Sequence, residues 1–157
     1  MKKVIIGLAS GILLFSTAAC NSEKTSTVAP DSTKDKVEVP SAEEARDAKE
    51  DATSETRRKQ LNSDIRAREQ RNNALNQGSA ENRDDGDLAS QVRSKLEANL
   101  PASALVVEAK EGVVTVKGTV PTQQQYDKIP NLSKEIKGVK SVNVDVKVAP
   151  AKPEKNN

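Results

Sequence analysis

Regular apolar patterning is confined to one stretch of this 157-residue chain, from Asp87 to Val148, and everything the chain can fold around must come from it. Asp87 can cap a helix in which Leu88, Val92, Leu96 and Leu100 recur every four residues, and Pro101 stops it. Leu105, Val107 and Ala109 then alternate with Val106, Glu108 and Lys110, the signature of a half-buried strand. Glu111-Gly112 supplies a tight turn, and the alternation resumes on a partner strand through Val114, Val116, Gly118 and Val120. Thr122 with Gln125 reads as a capping box opening a second helix through Tyr126, Ile129, Leu132 and Ile136. Pro130, inside that pattern, predicts a kink or two short helices. Gly138 can end it in a left-handed conformation, and Val142, Val144, Val146 and Val148 mark a last strand.

The order α-β-β-α-β predicts an α+β fold, a three-stranded mixed sheet covered on one face by two helices. A domain of roughly 60 residues buries only ~60% of its unfolded surface, so its core is small. The other sheet face carries Glu108, Lys110, Thr115, Lys117, Thr119, Ser141, Asn143, Asp145 and Lys147, a polarity that predicts contact with solvent.

Residues 20–86 have a different texture. Val28, Val37, Val39, Leu61, Ile65 and Leu75 are their whole supply of large apolar side chains, too few to offset the entropy of ordering. The segment is expected to act as a flexible, partly helical tether, with a coil end-to-end distance of about 45 Å. Within it Ser41 to Gln77 has good helix formers and a Ser41–Glu44 capping box. Arg57, Arg58, Lys59, Arg66, Arg68 and Arg71 cluster in its second half, and the favoured expectation there is a solvated spacer. The tail 149–157 reads as disordered.

Residues 1–19 have the form of a secretory leader: Lys2 and Lys3, an apolar run from Val4 to Phe15, then small residues. Cys20, the single cysteine, follows Thr17-Ala18-Ala19 and resembles the acylated residue of a bacterial lipobox, although Thr17 stands where Leu is usual. Cleavage before Cys20 would leave a lipid-anchored protein facing the periplasm, and two or three acyl chains make such an anchor stable. Asn21, in place of an Asp retention signal, tilts the expectation toward the outer membrane. Without Lys2 and Lys3 the basic residues fall from 25 to 23 and equal the 23 acidic ones, so no global field draws the protein to nucleic acid. The chain has no His, no Trp and no cysteine pair, which removes the usual general base, the common zinc ligands and any internal disulfide. No metal, cofactor or catalytic residue is expected, and the protein is read as a non-enzyme.

The run Leu88, Val92, Leu96, the hairpin Gly112-Val113-Val114-Thr115-Val116-Lys117-Gly118-Thr119-Val120, and Gly138-Val139-Lys140-Ser141-Val142 together resemble the BON domain of bacterial envelope proteins. Pro130 departs from the family's uninterrupted second helix. The resemblance covers residues 87–148 and implies an α+β fold with contacts to phospholipid, or to envelope components, under osmotic or envelope stress. It carries over no catalytic residue. Gly112, Gly118 and Gly138 match its motif and are read as structural. Lys110, Lys117 and Lys147 on the open sheet face, and Arg93 with Lys95 on the first helix, are the candidate lipid- or partner-binding residues. The alternative is a scaffold whose domain binds another envelope protein or the cell-wall layer.

Overall fold

The computed structural model describes residues 23–153. The leader, Cys20 and the last residues of the tail, 154–157, lie outside the described residues. Eight elements follow one another: β1 (Glu23–Lys24), α1 (Ala42–Thr53), α2 (Glu55–Asn76), α3 (Asp85–Asn99), β2 (Ala104–Lys110), β3 (Val113–Val120), α4 (Gln123–Lys134) and β4 (Ser141–Val148).

The α-β-β-α-β unit is α3-β2-β3-α4-β4. β2 and β3 pair antiparallel, with Lys110 opposite Val113 and Ala104 opposite Thr119. β3 and β4 pair parallel, with Val114 opposite Val142 and Val120 opposite Val148. The sheet has four strands in the order β1-β2-β3-β4, one more than the sequence suggested, because Glu23 and Lys24 add to the free edge of β2 opposite Val107 and Val106. Two residues of a polar segment carry no hydrophobic period to betray them as a strand; they are recruited by backbone groups that β2 leaves open.

The core lies between the sheet and its helices. Leu88, Val92 and Leu96 of α3, with Leu100 at its C-cap, meet Leu105, Val107, Val114, Val116 and Val120, and Ile129 and Ile136 close the far side. α3 begins one turn earlier than expected: Asp84 is the cap, accepting from the Asp87 amide at 2.8 Å. α4 runs as one helix through Pro130 and ends before Ile136, which sits in the following turn. The Thr122 hydroxyl accepts from the Gln125 amide, but the return arm of the box is missing because the Gln125 amide group donates to the Pro101 carbonyl.

The largest departure concerns the segment read as a tether. Its capping box at Ser41 and Glu44 is present, and Ser54 both ends α1 and caps α2, donating to Asp51 and accepting from Arg57. Both helices fold back onto the domain, α2 lying against α3. The sheet face expected to meet solvent is partly covered as well. Thr33 donates to Glu108 through its amide and its hydroxyl, at 2.8 and 2.6 Å, and accepts from Lys117 at 2.9 Å; Val106 and Thr119 are buried there. The tail is not free along its described part, since Lys152 exchanges backbone hydrogen bonds with Pro40 and Ala42.

Candidate interaction surface

α3 is the element on which most of the ion pairs among the described residues converge. Its inner face is apolar, while Asp87, Ser90, Gln91, Ser94 and Glu97 form an outer row that α2 covers. The Glu97 carboxylate, 2% exposed, accepts two bonds from the Arg57 guanidinium, Nε at 2.5 Å and Nη2 at 3.1 Å. Asp87, 5% exposed, accepts from Arg68 at 2.7 Å and Arg71 at 2.6 Å. Asp64 reaches the other way, from α2 to the Ser90 and Ser94 hydroxyls, each at 2.9 Å. Burial pushes the Asp64 carboxyl up, but the bonds from Ser94, Ser90 and Arg68 outweigh it and hold the group below its ordinary 3.8. The hydrogen bonds to Glu97 and Asp87 raise Arg57 and Arg68, respectively, above the ordinary arginine value.

Arg83 ties this network to the turn before β4. Its side chain, 2% exposed, donates to Glu69, to the Lys137 carbonyl and to Gln91. Gly138, at φ +97°, leaves the room for it, because a Cβ there would lie 2.5 Å from Arg83 Cδ. Beside Arg83, a cavity of about 330 Å³ opens between Asp85, Glu111, Gly112, Gly138 and Lys140, with both charge signs on its wall. Gly112 has φ +86° in the hairpin turn, next to Glu111 at φ +52°. Gly118 sits where a Cβ would come within 1.9 Å of the Ala104 carbonyl oxygen, so the constraint on it is the neighbouring strand's backbone.

The five candidate cations do not form a patch. Arg93, 13% exposed, lies between Glu23, Asp64 and Glu97 at 3.4, 3.8 and 3.3 Å. Lys95 pairs with Glu135 at 2.6 Å, and Lys117 with Asp145 at 3.6 Å in addition to its bond to Thr33. Lys110 and Lys147 remain exposed without an ion pair among the described residues. Lys110 lies across from Val113 and hence Ser141, six residues along β4 from Lys147, and at about 3.3 Å per residue the two are about 20 Å apart. Cys20 lies outside the described residues.

The residues missed from sequence are Arg57, Asp64, Arg68, Arg83, Asp87 and Glu97. The arginine cluster of 57–71 was visible; its buried carboxylate partners Asp87 and Glu97 lie on another helix, and only the fold brings them together.

The α-β-β-α-β order, the glycine-bearing hairpin and the Gly138 turn coincide with residues 84–150, which match the family model of the BON domain. The chain carries a BON domain. Across 66 residues it is 41% identical to Osmotically-inducible protein Y of Escherichia coli (strain K12). The match covers 40% of this chain and 33% of that relative, so the likeness is one of domains. No solved structure matches the chain. Among the described residues no helix is long and apolar enough to cross a membrane, and no acidic or thiol group of three could hold a metal ion.

Proposed function

We propose that this protein is an envelope lipoprotein, acylated at Cys20, whose BON domain binds a component of the envelope under osmotic or envelope stress. The leader's form and the position of Cys20 support the anchor, and the likeness to an osmotically inducible protein supports the setting. The observation that carries the choice of partner is the internal use of Arg93, Lys95 and Lys117. A headgroup-binding face needs several cations free at once, since each contributes only ~1 kcal/mol near an anionic surface. Of the five candidate cations this leaves Lys110 and Lys147, too far apart to hold one headgroup together, which supports a protein or cell-wall partner over phospholipid contact through these residues.

Co-sedimentation of the protein, with its acyl chains removed, with anionic and neutral vesicles separates the two. The expected result is no difference between vesicle types at low salt. Strong, salt-sensitive retention on anionic vesicles that Lys110→Glu with Lys147→Glu abolishes would restore the phospholipid reading. Mass spectrometry of the mature N-terminus tests the anchor, which predicts acyl mass on Cys20.

A further inference from the structure

β4 ends the sheet with an open edge. It pairs with β3 on one side, and among the described residues no strand pairs with the other. The strand is eight residues long, and Pro150 comes only after its end. An edge of this length with unused amides and carbonyls is a template for another strand unless proline, a bulge or charged side chains without a counterpart on the incoming strand blunt it. Here the charges are Asp145 and Lys147, of opposite sign and on the same face.

That arrangement complements itself. When two copies of a strand pair antiparallel about a two-fold axis, residues whose numbers have a constant sum stand opposite each other, and pleating requires them to share a face. An axis through Val146 sets Asp145 opposite Lys147 of the second copy, and Lys147 opposite its Asp145. Axes through Asp145 or Lys147 would set identical charges against each other, and an axis through Val144 would set Asp145 opposite Asn143 and Lys147 opposite Ser141, leaving both charges without a counterpart. The same Val146 register sets Val144 against Val148, which is 41% exposed in the single chain. On the open face it builds a row Lys117, Asp145, Lys147 across the junction, extending the 3.6 Å pair already present. Val142, Val144 and Val146 lie only partly covered by the helix layer, so the apolar side of the edge gains cover too.

We infer that β4 is a homodimerisation edge, two copies pairing antiparallel about Val146 into one continuous eight-stranded sheet. This inference is independent of the envelope reading, because it uses only the described residues of the domain.

Hydrogen exchange on the full chain, in detergent and kept reduced so that Cys20 cannot bridge two copies, tests it directly. Protection of the β4 amides is expected to rise with protein concentration, in step with a dimer seen by native mass spectrometry. Asp145→Lys and Lys147→Asp each set like charges across the axis at two places and are expected to weaken association about tenfold. Mixed one to one, the two variants present opposite charges at both places and are expected to form the heterodimer. β4 amides whose exchange is independent of concentration overturn the inference, as does an association that neither reversal weakens or that the mixture does not restore. Circular dichroism of each variant checks folding; should one fail to fold, the wild-type concentration series decides alone.

Discussion

Gly118 shows how a single residue is fixed by backbone rather than by packing. Its φ of +139° and the 1.9 Å approach of a would-be Cβ to the Ala104 oxygen act together. Gly118→Ala therefore has to displace a strand that supplies core residues on both sides of the contact, and it is expected to lower unfolding free energy by about 3 kcal/mol in urea titration. The requirement for glycine, and a close approach as its reason, were legible in the hairpin motif, but the group that approaches was not. Sequence alternation placed Gly118 on the packed face, whereas the atom it avoids belongs to the adjacent backbone. Glu111 is the reverse case: a non-glycine residue held at φ +52° because Gly112 completes the turn, with its amide donating to Asp85 at 2.8 Å.

At the scale of elements, the docking of α2 on α3 depends on ionised carboxylates. The folded-state value of Asp64 is depressed, so its contribution is complete above the unfolded value near 3.8 and is lost as pH falls through the lower folded value. Acidification below the ordinary carboxyl value of 3.8 is expected to release α2 first. Amide exchange, corrected for intrinsic rates, would show α2 losing protection while β2 and β3 keep theirs; simultaneous loss in both would contradict a separate acid-sensitive contact. The helices themselves were readable. Helix formers, the Ser41–Glu44 box and the absence of Gly and Pro indicated them, while the break at Ser54 and the direction in which they fold were not indicated. Leu61 and Ile65 make too narrow an apolar stripe to announce a packed helix, because the interface they belong to is mostly ionic.

At the scale of the molecule, two kinds of cohesion meet. The domain is held by a continuous apolar cluster from Leu88 to Ile136, whereas α1 and α2 contribute only Ala52 and Leu61 as buried apolar residues. The helical arm is thus expected to open below the free energy of global unfolding, as a separate cooperative unit. Arg57→Ala leaves the 2%-exposed Glu97 with Arg93 as its remaining cation, and is expected to lower the opening free energy of α2 by about 2 kcal/mol. Native-state hydrogen exchange reads this as faster α2 amides with β3 amides unchanged. The sequence by itself determined the α-β-β-α-β order and the core, because a period of two or near four is a local property that fixes which face is buried. Only the tertiary structure decided that β1 joins the sheet, that α1 and α2 pack on the domain, and that Arg93, Lys95 and Lys117, three of the five candidate cations, are already paired. Ion pairs and strand additions join residues far apart in the chain, and no local period records the partner that each will meet.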